Sequence, residues 1–257
     1  MGIAPLRMII PACQLDSRSH HVLLTTMYYP MFDPMYLLML SPALLLAMWA
    51  QFRIRSTYAT ASQVPARMSG SAAAREILDA EGLRDVRIEM IPGQLSDHYD
   101  PRAKVLRLSP EVYQGRSAAA VGIAAHEAGH ALQDAHGYAL MTVRNLAVPL
   151  ANFGSGIGMW MLIIGMMIGM TGLAWIGLIL FAGTAVFQIV NLPVEFNASS
   201  RAKYQLEALG IVGSQESPYI RKVLSAAALT YVAATLQAIL QVLYFAMRLM
   251  GQSDRDR

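Results

Sequence analysis

Within "AAHEAGHALQDAHG", residues 124–137, His126, Glu127 and His130 stand in the pattern His-Glu-x-x-His. Helical residues four apart share a face, so His126 and His130 can present their imidazoles to one metal ion. Two neutral histidines at this spacing suit zinc, which lowers the pKa of a coordinated water to about 7. Glu127, next to His126, reaches such a water without being a ligand. It can take the water's proton and pass it on to a leaving amine, so Glu127 is the candidate general base and acid. Ala125, Ala128 and Gly129 are small and allow another element to approach this helix.

A catalytic zinc site draws three ligands from the protein, and this stretch supplies two. His136 would complete His-Glu-x-x-His-x-x-Gln-x-x-His, which resembles the metzincin pattern. That pattern needs Gly where this chain has Gln133. Without the turn, the helix is expected to continue and His136 to face away. Glu195 is the other candidate. It follows an apolar stretch long enough to cross a bilayer twice, which returns the chain to the side it left. This is the two-helix arrangement of gluzincins. Glu195 can also be read as an interfacial charge without a partner.

The elements that must position these residues are mostly apolar. Of 257 residues, 55% are hydrophobic and 14% charged, below the charged share of an average soluble protein. From Asn145 to Val194 there is no Lys, Arg, Asp, Glu or His. A bilayer core of about 30 Å needs about 20 residues per helix, so residues 146–192 are expected to form a two-span hairpin with a turn near Thr171-Gly172. Residues 34–52 form a first span, with Pro42 as a candidate kink, Trp49 at its interfacial end, and Arg53 and Arg55 next. Residues 223–250 read as a fourth span or, given Gln237 and Gln241, as a helix lying on the others. Pro193 is expected to break the chain, after which 193–222 holds a separate helix carrying Glu195 and closed by Gly210. Residues 1–33 and 251–257 read as tails, the first without periodicity and disordered.

The soluble part, 53–145, mixes helix and strand. "SGSAAAREILDAEGL" is a helix capped by Ser69 or Ser71 and closed by Gly82. "VRIEMI" and "KVLRLS" are strands flanking the loop "PGQLSDHYDPRA". Ser109-Pro110 begins a short helix and Ser117 caps the one that carries His126 and His130. In "DHYD", Asp97, His98, Tyr99 and Asp100 read first as a turn with Asx-type bonds before Pro101. The functional alternative is His98 stabilising an oxyanion or a metal water. The net charge of +3 and the lack of basic runs argue against nucleic acid. The single Cys13 excludes an internal disulfide.

"SDHYDPRAKVLRLS", "AAHEAGHALQ", "LPVEFNASSRAK" and "VLSAAALTYVAATL" together resemble the YugP-like family of neutral zinc metallopeptidases of bacterial membranes, over about residues 34–248. The resemblance implies His126 and His130 as ligands, Glu127 as base and Glu195 as third ligand. The layout is also similar to that of HtpX-like membrane proteases, with two spans between the motif and the ligand Glu. One position departs. Many gluzincins carry Asp four residues after the ligand Glu, to orient a histidine; here it is Ser199, whose hydroxyl is a weaker partner than a carboxylate. Asn197 is expected to point elsewhere.

The expected fold is a mainly α-helical integral membrane protein with a small α+β zincin-like, gluzincin-type catalytic domain at the membrane surface. The expected function is hydrolysis of peptide bonds in protein substrates, membrane proteins among them, with Zn2+ as cofactor. The alternative is a membrane scaffold that binds zinc without turnover. The expected location is the bacterial inner (plasma) membrane. Arg53, Arg55, Arg201, Lys203, Arg221 and Lys222 flank the spans on one side, which predicts a catalytic domain facing the cytoplasm.

Overall fold

The structure is a computed structural model that describes residues 33–94 and 96–253. The expected tail at 1–33 therefore lies outside the described residues except for Asp33. Two compact units divide the chain, Met1–Leu38 and Met39–Arg257. The described part of the first is the opening of helix α1 (Pro34–Ser62), where the Met35 N–H donates to Asp33 Oδ1 at 2.9 Å. In the second unit α1 does not stop at the expected span end. It carries Arg53 and Arg55 out of the apolar stretch and ends at Ser62.

Helix α2 (Gly70–Ala80) is capped by Ser69, whose hydroxyl accepts the Ala72 N–H, and the chain leaves it through Gly82 at φ 76°. Strands β1 (Arg87–Met90) and β3 (Val105–Leu108) pair in parallel. A third strand, β2 (His98–Asp100), forms within what reads as a loop and pairs antiparallel with β3, giving the order β1-β3-β2. Three residues carry too little alternation to announce a strand. Tertiary contacts make it one: Tyr99 is buried, and its hydroxyl donates to Asp134 Oδ2 at 2.8 Å. Asp100 then makes the turn, with Oδ1 accepting the N–H groups of Arg102 and Ala103.

Helix α3 (Pro110–Gln114) leads into α4 (Ala118–Ala135), which carries His-Glu-x-x-His. Ser117 caps α4 by accepting the Ala120 N–H at 3.2 Å. Its alanines and glycines let α4 sit at the centre of the core, against Ile77 and Leu78 of α2, Leu106 and Leu108 of β3, and Leu206 and Ile220 beyond. After α4 come α5 (Ala139–Phe153), a π-helical turn (Gly154–Gly158), α6 (Met159–Met167), α7 (Thr171–Ala208) and α8 (Ser217–Ser253). The hairpin reverses at Gly169, φ 71°. Its arms meet through small residues: a Cβ on Gly177 would stand 2.3 Å from the Leu162 nitrogen.

Among the described residues, four helical segments are long and apolar enough to cross a membrane: Pro34–Ser62, Ala139–Met167, Thr171–Ala208 and Ser217–Gln252. Further boundaries differ from the expectation. Pro193 does not break the chain but lies inside α7. Proline removes one N–H and one helical bond, and flanking turns and packing on both sides carry the helix past it. Residues 193–222 are consequently not one element. They hold the end of α7, a turn at Gly210 (φ 62°) and the start of α8. The last helix also extends to Ser253, into the expected C-terminal tail.

Candidate metal centre

Helices α4 and α7 cross with almost no space between their backbones. A Cβ on Gly129 would lie 2.6 Å from the carbonyl oxygen of Ala198. Gly129 stands three residues after His126 and one before His130. Ala198 stands three after Glu195 and one before Ser199. The crossing therefore brings the two pairs face to face. Glu195 Oε2 lies 3.2 Å from His126 Nε2 and 3.6 Å from His130 Nε2. The ligand atoms of His126, His130 and Glu195 all fall within 4.8 Å of one another. Glu195 is 3% exposed, and it is the first charged residue of α7.

The outer imidazole nitrogens are held by the protein. His126 Nδ1 meets Ser199 Oγ at 3.1 Å, and His130 Nδ1 meets Gln133 Oε1 at 2.9 Å. The second contact fixes a tautomer by a chain of one-way donors. The Arg201 guanidinium can only donate, and its Nε gives a hydrogen bond to Asn197 Oδ1 at 2.8 Å. Asn197 thus presents oxygen, which accepts from Gln133 Nε2 at 3.0 Å; the Val194 carbonyl accepts from the same nitrogen at 2.8 Å. Gln133 must then turn its oxygen to His130, so His130 Nδ1 carries the hydrogen. A neutral His130 therefore aims the lone pair of Nε2 at the Glu195 carboxylate. Two acceptors facing each other in a buried space repel, unless a cation or a proton stands between them.

The spacing fits a metal cation. Tetrahedral ligands at zinc's bond lengths of about 2.0–2.1 Å stand roughly 3.4 Å apart. The two nitrogen–carboxylate separations bracket that value. The donor set, two imidazoles and a carboxylate, is the kind that leaves a fourth position open in catalytic zinc sites.

That open side faces a cavity of about 540 Å³ between α1, α4 and α8. Glu127 and His126 line it, with Asp97, Arg55 and Tyr58, the apolar Ile54, Ile123, Val223 and Leu224, and Tyr231. Glu127 is half-buried and outside the ligand cluster. Burial pushes its carboxyl up to about 7. The His126 ring lowers it, the negative charges of Glu195 and Asp97 raise it, and the Tyr99 backbone N–H of β2 lowers it. Arg144 of α5 reaches Glu195 Oε1 at 3.9 Å, and the Tyr231 phenol lies beside Glu195.

The other candidates stand apart. His136 caps the C-terminus of α4, and Gly137 at φ 61° turns the chain away. Its Nδ1 accepts from Arg201 at 2.8 Å and its Nε2 faces Glu81 Oε2 at 3.3 Å, outside the cluster. His98 is exposed, with Nδ1 2.8 Å from the Ser96 carbonyl, and is not among the cavity's lining residues. Asn197 touches neither His126 nor His130, but through Gln133 it decides which nitrogen of His130 is protonated. In the sequence, Gln133 stands out only as the residue in place of a glycine. The overlooked signal was its place three residues after His130, on the same helix face. Arg144 and Tyr231 were signalled by polarity at the margin of, or within, apolar helices.

Residues 36–250 match the model of a family described as "Putative neutral zinc metallopeptidase". The chain is 44% identical over 216 residues to the "Putative membrane protease YugP" of Bacillus subtilis (strain 168), covering 83% of this chain and 96% of that protein. No solved structure matches it.

Proposed function

We propose, from the premise that this chain belongs to the family described as "Putative neutral zinc metallopeptidase", that it is a multi-pass membrane peptidase using one zinc ion to hydrolyse peptide bonds. In this reading α1, the α5–α6 arm, α7 and α8 cross the bilayer. The sheet and α2–α4 form a gluzincin-type catalytic domain at its surface. His126, His130 and Glu195 hold the metal. The observation that carries the reading is the His130 Nε2 lone pair aimed at Glu195 across 3.6 Å, which a cation between them resolves.

Zinc bound there would supply a Lewis acid that activates water and polarises the scissile carbonyl. Glu127 accepts the water's proton on its carboxylate and delivers it to the departing amine. A carboxyl pushed up to about 7 is suited to both transfers near neutral pH. Ser199 and Gln133 hold the two imidazoles so that Nε2 of each faces Glu195, where a metal would be held. The apolar flank of the cavity, Ile54, Ile123, Val223 and Leu224, favours substrates with apolar side chains at the cleaved bond, as membrane-inserted polypeptides have.

The test uses the full chain purified in detergent. Wild type should cleave an apolar fluorogenic peptide, lose activity to a chelator and regain it with zinc. Stoichiometric zinc with no turnover on any peptide would indicate a zinc-binding scaffold instead. Sidedness is a separate question. Basic residues at Arg53, Arg55, Arg201, Lys203, Arg221 and Lys222 favour a cytoplasmic catalytic face. A cysteine at exposed Ser214, with Cys13 replaced, should escape an impermeant thiol reagent in intact cells. Labelling there would reverse the orientation.

A further inference from the structure

A second cavity, of about 320 Å³, lies between α1 and α8 and belongs to no step of the proposed chemistry. It is lined by Trp49, Phe52, Arg53 and Ser56 of α1 and by Tyr219 and Lys222 of α8, with two threonines of α1 behind. Arg53 is the first charge after the apolar run of α1, and Lys222 is the last before the apolar run of α8. The two helices thus place their bounding cations at one level, where hydrocarbon would give way to headgroups. Neither cation has a carboxylate partner among the described residues, and no acidic residue lines the cavity. Arg221, next in sequence to Lys222, is by contrast engaged by Glu207 at 2.8 Å.

The aromatic groups give the cavity direction. Arg53 lies 5.6 Å from the Trp49 ring centroid and Lys222 5.7 Å from that of Tyr219, so each cation is steadied over a ring. Trp49 and Phe52 are 49% and 73% exposed and continue the apolar surface of α1 toward its start. An occupant therefore meets two positive charges and hydroxyls at one end and an aromatic, membrane-level surface at the other.

We propose that this cavity seats a phosphate group between Arg53 and Lys222, with an anionic phospholipid as the source its aromatic rim favours. Basic pockets between spanning helices recognise anionic headgroups by this chemistry, and two cations bridged by one phosphate also tie α1 to α8.

The experiment uses the full chain in nanodiscs of phosphatidylcholine with and without phosphatidylglycerol, released into detergent for native mass spectrometry. Wild type should retain phosphatidylglycerol over phosphatidylcholine, and R53Q/K222Q should lose retention by about thirtyfold. R84Q/R102Q, the same two-charge change at exposed positions on the sheet side, should retain it. Glu127→Gln should retain it too, which separates this site from the peptidase reading. Displacement of the lipid by millimolar inorganic phosphate would assign the site to soluble phosphate. Resistance to phosphate would assign it to the lipid. Equal retention of both lipids, or full retention by the double variant, overturns the proposal.

Discussion

Nδ1 of His130 lies 2.9 Å from Oε1 of Gln133, one turn along the same helix, and this contact determines which nitrogen His130 offers to a metal. Gln133 is fully buried and cannot exchange its partners for water. Gln133→Leu keeps the volume but leaves the His130 N–H without an acceptor. Zinc affinity should fall about 10–100-fold, read by competition with a chromogenic chelator. Unchanged affinity would mean that Gln133 only fills space.

The assignment of the third ligand is tested by a pair of variants. Glu195→Ala should lose most bound zinc and all hydrolysis. His136→Ala should retain both, since His136 contacts Glu81 and Arg201 rather than the cluster. Metal analysis of the purified variants decides. The reverse pattern would place the site on the metzincin plan.

Gly129 should tolerate no side chain. The added Cβ of Gly129→Ala meets backbone, the Ala198 carbonyl, which no rotamer change can move aside. We expect a loss of about 1–3 kcal/mol in stability and weakened zinc binding, because α4 and α7 must separate at the point that aligns His130 with Glu195. Gly156→Ala, with nothing within 4 Å of the new Cβ, is the control in the same thermal unfolding series.

Glu127 makes the stability of the metal-free protein depend on pH. Its carboxyl rises from an ordinary 4.5 to about 7 in the folded state, so the folded state holds the proton more tightly than the unfolded one. Ionisation then penalises folding. The penalty is absent below pH 4.5, grows as pH rises and is complete above about 7. Wild type should therefore lose stability relative to Glu127→Gln across that window, by no more than about 3 kcal/mol. Chemical denaturation of both proteins in chelator measures the difference; parallel curves would show an unperturbed carboxyl.

The same substitution tests catalysis. Glu127→Gln retains shape and hydrogen bonding but cannot take a proton. Zinc content should match wild type while hydrolysis drops at least about 100-fold. Equal turnover would remove Glu127 from the role of base.

Local physics is written in the chain, and that part was readable. A spacing of four puts His126 and His130 on one face of any helix, and Ser117 marks where that helix starts. The absence of charge from Asn145 to Val194 shows the apolar hairpin, because charge density is a property of the segment itself. The limits of local rules are equally visible. Pro193 removes one hydrogen bond wherever it stands, but whether the helix survives depends on what packs around it, and α7 runs through. Strand β2 exists because β3 and Asp134 receive it, not because three residues alternate.

The centre itself was decided by tertiary structure. His126 and Glu195 are 69 positions apart, and their meeting depends on two backbones touching at Gly129 and Ala198. The same crossing turns Gln133 from an apparent defect in a motif into the group that orients His130, and recruits Asn197 and Arg201 to hold it. Sequence spacing names which side chains share a helix face. Only the close approach of a second helix determines what that face meets, because contact energies fall away within a few ångströms and carry no trace along the chain.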